Sequence, residues 1–253
     1  MTKLVINADD FGYSPGVNYG IIDSHQQGVL TSTTLMANMP GFEHAVALSH
    51  ATPTLGIGVH LSMTCGSPVL GNVEDLLQKN GQFKSLAELK AAPDDVNLDQ
   101  LYAEWDGQIN KVKEAGIRPT HLDSHHYTHS YGNNSQVMET LATRHGLPLR
   151  NCFEVREKLK DPSLAPALAF WNLFNYPSMK DVSLPYERVK DQLFEIIQKD
   201  GVSFGHPGYV DARLWLGSSF HIARTREIEL LCDPALKELL KVLNYQLCCY
   251  NEL

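Results

Sequence analysis

Strand-like and helix-like segments alternate along all 253 residues, which implies a mainly parallel sheet. Acidic and histidine side chains fall again and again at the C-terminal ends of the strand-like segments, where β/α barrels build their sites. No internal repeat, low-complexity tract or linker divides the chain. Together these features predict an α/β fold: a distorted or incomplete TIM-like (β/α) barrel, with 1–253 as a single domain. The alternative is an open doubly wound sheet, which would not gather Asp9, Asp10, His60, Asp123, His125 and His206 at one end.

The apolar, β-branched run Lys3–Ala8 reads as a buried first strand, stopped by Asp9-Asp10-Phe11-Gly12. Two adjacent carboxylates raise each other's pKa unless a cation intervenes. Neither is needed as a helix cap, because Ser14 before Pro15 is the better one. Val17–Gln27 reads as a helix stopped by Gly28, Leu30–Ala37 as a strand and Phe42–His50 as a helix with surface His44 and His50. Leu55–Ser62 is the next strand and carries His60 near its end. Thr64–Pro93 is irregular, either a loop over the site or a small excursion. Asn97–Gly116 is a helix with Leu98, Leu101, Trp105, Ile109 and Val112 at helical spacing and Trp105 in the core.

Arg118–Asp123 is a strand that leads into Thr120–His129, a stretch holding four of the eleven histidines. Imidazole with carboxylate is the ligand chemistry of Zn²⁺, and carboxylate also suits Mg²⁺. Ser135–His145 is a helix ended by Gly146, and Leu147–Phe153 a strand. In 154–184 the aromatics Phe170, Trp171, Phe174 and Tyr176 suggest a short helix and a loop, either walling a sugar site or joining the core. Tyr186–Lys199 is a helix, and Gly201–Gly205 a strand ending in His206-Pro207-Gly208. Arg224–Leu243 is one or two helices with a break at Asp233-Pro234, and Tyr245–Tyr250 a last strand.

A net charge of -8 argues against a nucleic-acid partner. The N-terminus meets Asp9 and Asp10 too early for a signal peptide, and no apolar run is long enough for a bilayer, so a cytoplasmic protein without a membrane partner is expected. The five cysteines form no CxxC pair and read as reduced thiols.

Asn7-Ala8-Asp9-Asp10-Phe11-Gly12, Thr31-Ser32-Thr33-Thr34, Gly58-Val59-His60-Leu61, Pro119–His126 and His206-Pro207-Gly208 follow one another in a recognisable order. In these motifs the chain resembles the YdjC-like carbohydrate deacetylases, best known as chito-oligosaccharide deacetylases. The resemblance implies a distorted barrel and one divalent ion, Mg²⁺ or Zn²⁺, held by Asp10, His60 and His125. It also implies Asp9 as catalytic base, an N-acetylated oligosaccharide substrate and a homodimer. Many members carry a third consecutive histidine where this chain has Tyr127. His206 is the candidate acid for the departing amine, and its deprotonation would then limit the rate at high pH. Asp123 is a candidate for orienting a ligand imidazole, and His126 or His129 for touching substrate. Side-chain alternation sends Asn7 and Asp9 one way, so Asp10 reaches the same ion only if the chain turns just after Asp9, and Phe11-Gly12 is the place expected for that turn. The expected activity is metal-dependent removal of an N-acetyl group. The competing readings are a metal phosphoesterase, which wants a second metal, and a catalytically silent sugar-binding protein.

Overall fold

The computed structural model describes residues 2–150, 169–171 and 201–253. Seven strands form one parallel sheet: β1 (Thr2–Phe11), β2 (Ser32–Leu35), β3 (Gly56–Leu61), β4 (Leu122–Ser124), β5 (Ala169–Trp171), β6 (Gly201–Gly205) and β7 (Tyr245–Leu247). Their order is β4-β3-β2-β1-β6-β5, with β7 pairing the first residues of β1. The sheet curls into a half-barrel, as the alternation of elements predicts. Leu149 adds a parallel bridge beside Leu122, and residues 151–153 of the strand expected over 147–153 lie outside the described residues. Phe170 and Trp171 belong to β5 rather than to a helix or loop. The helix expected at 186–199 lies outside the described residues.

Among the described residues the helices are α1 (Pro15–Gln26), α2 (Phe42–Ala51), α3 (Leu86–Ala91), α4 (Leu98–Glu114), α5 (Asn134–His145), α6 (Ala212–Gly217), α7 (Ile222–Leu231) and α8 (Pro234–Val242). Ser14 caps α1 and Pro15 opens it. Asp233 caps α8 after the expected break, accepting from the Ala235 N–H at 2.8 Å. Short α6 was not anticipated; Asp211 starts it by accepting from the Leu214 and Gly16 N–H groups. On α4, Leu101, Trp105, Ile109 and Val112 are fully buried, so its apolar stripe faces the sheet as the spacing requires. No helix among the described residues is long and apolar enough to cross a membrane.

Two features aim side chains at the carboxyl end of the sheet. On β1, the stretch from Ala8 to Phe11 pairs with Thr33 to Leu35, so three steps oppose two and one extra residue bulges. The bulge coincides with Asp10, whose φ is 70°. The turn expected at Phe11-Gly12 is present, closed by the Tyr13 N–H on the Asp10 carbonyl at 3.0 Å, and the bulge at Asp10 precedes it with Asp10 itself in the left-handed region. Asp is among the few residues that tolerate this region. The second feature is the register of β3 against β4, which sets His60 beside Asp123.

The irregular segment 64–93 is tied down from below. Buried Glu104 of α4 accepts from the backbone N–H groups of Val69 and Leu70 at 2.8 and 2.9 Å. Gln108 holds both the N–H and the carbonyl of Ser62. Thr64, Cys65, Leu86 and Lys90 thereby become part of the wall of a cavity.

Candidate active site

The largest cavity described, about 670 Å³, opens at the carboxyl ends of the strands and is lined by Asp9, Asp10, His60, His125, His206 and Arg224 among others. Asp10 Oδ1 lies 3.4 Å from His60 Nε2 and 2.9 Å from His125 Nδ1, and neither contact is directed as a hydrogen bond. One ligand atom from each of the three residues lies within 4.8 Å of the other two. A carboxylate and two imidazoles converging in this way, with an orphaned carboxylate oxygen between them, fit a divalent ion by donor type and spacing. Asp123 accepts from His60 Nδ1 at 2.6 Å, and Thr34 Oγ1 lies 3.2 Å from the same nitrogen. These contacts fix the ring so that Nε2 points at Asp10, the orienting role expected of Asp123.

Burial opposes charge on these groups, but their partners prevail. Asp123 and Asp10 push His60 up to about 10, and Asp10 pushes His125 up to about 9. His125 and Arg224 hold Asp10 well below the usual carboxylate range despite its burial.

Asp9 sits apart from this cluster. Arg150 donates to both its oxygens, one at 2.8 Å, and also meets Asp123. Asn7 donates to Asp9 Oδ1 at 3.0 Å, which shows the two on one face of β1 as alternation requires. Asp9 Oδ2 looks across 3.9 Å to His206 Nε2. Buried Glu227 accepts the His206 backbone N–H. Burial pulls His206 down to about 4, against the opposing pull of Asp9. A second cluster of potential ligands, Asp9, His60 and Asp123, is bridged by the Arg150 guanidinium.

The loop after β4 departs from simple helix geometry. His126 and Tyr127 have φ of 57° and 53°. Such residues cost roughly 1–3 kcal/mol each and collect at functional sites. Ser124 Oγ restrains the loop by accepting from the His129 N–H at 3.1 Å and meeting His129 Nδ1 at 2.5 Å. His126 faces the cavity, its Nδ1 3.0 Å from Thr64 Oγ1. His129 is buried beneath the turn, so only His126 of that pair borders the cavity. His121 lies deeper still, stacked on Tyr250 with centroids 3.6 Å apart.

Sequence reasoning missed two cations. Arg150 and Arg224 neutralise the adjacent aspartates, one each. The only signal available was charge arithmetic: buried carboxylates require partners.

Fold and cluster together define a curled β/α barrel with an Asp/His candidate metal centre at the carboxyl ends of its strands. The chain belongs to the YdjC-like family, whose model, YdjC-like protein, matches residues 3–242. A carbohydrate deacetylase of Brevibacillus brevis is 36 % identical over 255 residues, covering 99 % of both chains. Carbohydrate deacetylase 2 of Listeria innocua is 38 % identical, covering 99 % of this chain and 98 % of its own. Among solved structures, a putative cellobiose-phosphate cleavage protein of Enterococcus faecalis superposes with a TM-score of 0.90 at 32 % identity, covering 99 % of this chain and 98 % of that one. A lactam utilization protein of Thermus thermophilus, 16 % identical with a TM-score of 0.54 and coverage of 98 % and 99 %, shares the fold alone.

Proposed function

We propose that this chain is a metal-dependent hydrolase that removes an N-acetyl group from N-acetylglucosamine-containing oligosaccharides of the chito-oligosaccharide type, giving a free amine and acetate. The observation that carries the reading is the convergence of Asp10, His60 and His125 beside a separately held Asp9 and His206 in one cavity. A bound Zn²⁺ or Mg²⁺, held by Asp10, His60 and His125, would supply Lewis acidity towards the acyl oxygen and make water more acidic. Asp9, fixed by Arg150 and Asn7, takes a proton from the attacking water at Oδ2. The water oxygen bonds to the acyl carbon, and the C–N bond then breaks. His206 Nε2 carries a proton to the departing nitrogen. His206 is neutral at neutral pH, so it works as a relay for the proton Asp9 has taken rather than as a standing acid.

The substrate is an N-acetylated sugar, which gives its acetyl group to water, in a cytoplasmic, single-domain protein with a second copy of the chain as the expected partner. A two-metal phosphoesterase is disfavoured, because Arg150 fills the second cluster with a cation. The test is mass spectrometry of a panel of N-acetylated oligosaccharides, free and phosphorylated, after incubation with metal-loaded protein. Loss of one acetyl group with release of acetate supports the reading. Release of phosphate, or a panel returned intact, overturns it.

A further inference from the structure

Arg150 is buried behind the cavity, and its two terminal nitrogens are spent on Asp9 and Asp123. The guanidinium carbon lies 5.3 Å from the Phe204 ring centroid, so one face of the fork is covered. The third nitrogen, Nε, is buried and has no directed acceptor among the described residues. A buried donor left unpaired is costly, and more so when it is charged.

Tyr250 brings the complementary atom. It opens the short turn Tyr250–Glu252 near the C-terminus, and its hydroxyl is likewise buried without a directed partner. That hydroxyl lies within hydrogen-bonding reach of the Arg150 guanidinium. The ring is held flat against His121, with centroids 3.6 Å and planes 12° apart, and Thr120 Oγ1 meets His121 Nδ1 at 2.9 Å. The backbone is held too. β7 pairs with the first residues of β1, and the Cys248 N–H donates to the Leu4 carbonyl at 3.0 Å. The segment carrying Tyr250 is thus in register with the strand that carries Asp9. Burial pushes the phenol well above its usual range, so it stays protonated and neutral. Neither Arg150 nor Tyr250 lines the cavity. Packing against His121 needs only the ring, so packing leaves the hydroxyl unexplained.

We infer that Tyr250 is a positioning residue, whose phenolic oxygen accepts from Arg150 Nε and fixes the plane of the fork that orients Asp9. The inference rests on the deacetylase reading for the role of Asp9 as base. Two terminal nitrogens on carboxylates leave the guanidinium able to tilt with them, and a third bond at Nε stops the tilt. Asp9 Oδ2 faces His206 Nε2 across 3.9 Å, so a tilted fork would carry the base away from its proton partner. Catalysis is sensitive to displacements of that kind even when their cause is remote from the reacting atoms.

The experiment compares the natural chain with Tyr250→Phe, which keeps the ring on His121 and removes the oxygen. At saturating metal, kcat should fall about 10–100-fold with KM unchanged. A crystal structure of the variant should show the Arg150 fork and the Asp9 carboxylate displaced. A variant of lowered melting temperature but unchanged kcat has lost only packing, and that result overturns the inference. Arg150→Lys removes Nε, so adding Tyr250→Phe to it should cost little further; an equal loss in both backgrounds overturns the inference. Should Tyr250→Phe fail to fold, a crystal structure of the natural, metal-loaded protein decides. Nε and the phenolic oxygen within hydrogen-bond distance support the inference, and a separation beyond about 3.5 Å overturns it. If no sugar in the panel loses an acetyl group while the variant still shows fork and carboxylate displaced, the substrate reading has failed and the positioning of Asp9 by Tyr250 stands.

Discussion

Asp9 and Asp10 are neighbours in sequence but belong to different hydrogen-bond systems. Asp9 is held by Arg150 and Asn7, whereas Asp10 faces His60 and His125 and is backed by Arg224. Asp10→Asn should therefore lose metal affinity together with activity. Asp9→Asn should keep metal and substrate and lose turnover by roughly 10²–10⁴-fold. Elemental analysis beside single-turnover kinetics checks both, and metal lost from Asp9→Asn but retained in Asp10→Asn would reverse the assignment. His206 changes an expectation. Because burial pulls it to about 4, it has no proton to lose in the alkaline range. Its sequence position suggested an alkaline limb in the rate profile. The structure instead predicts that His206→Gln lowers kcat and leaves the alkaline side of kcat/KM unmoved. The candidate ligands were legible because each sits in a local motif at a strand end. The arginines were not, since Arg150 and Arg224 stand 141 and 214 residues from the aspartates they pair with.

At the scale of elements, periodicity located α1, α2, α4, α5 and the break before α8, because each carries its own cap or apolar stripe. Strand ends were less legible. The strand expected over 118–123 is regular only at Leu122–Ser124, although the Thr120 N–H and the His121 carbonyl still pair with β3. The bulge at Asp10 carries no glycine to announce it. The role of α4 was only half visible, since its apolar stripe gives a core helix but not the polar clamp of Glu104 and Gln108 beneath the 64–93 segment. Glu104→Ala leaves the Val69 and Leu70 N–H groups without their acceptor, for an expected loss of about 2–3 kcal/mol in urea unfolding. Hydrogen exchange at residues 66–72 should quicken. Because Thr64 and Lys90 line the cavity from this segment, KM should rise more than kcat falls. Unchanged exchange would show that other contacts hold the segment.

For the whole molecule, the histidines make folding stability depend on pH from both sides. His121 and His129 are buried and pulled down to about 3 and 4. The unfolded chain binds protons at about 6.5, so below that pH the unfolded state takes up more protons than the folded one. Their contribution is present above 6.5 and is lost as the pH falls towards 3–4. His60 and His125 behave oppositely in the metal-free protein. Raised to about 10 and 9, they hold protons in the folded state that the unfolded chain has released. Their contribution is present below 6.5 and is lost as the pH rises through 9–10. Each histidine adds a slope of up to about 1.4 kcal/mol per pH unit. Metal-free protein should therefore be most stable near neutrality and weaken in both directions. A divalent ion at Asp10, His60 and His125 must displace the two histidine protons. At neutral pH its binding should release close to two protons, read by calorimetry in buffers of different ionisation enthalpy, and should flatten the alkaline decline while leaving the acid decline in place. His121→Phe, which keeps the stack on Tyr250 and removes the titrating nitrogen, should instead flatten part of the acid decline. An alkaline decline that persists in saturating metal would remove His60 and His125 from the metal centre.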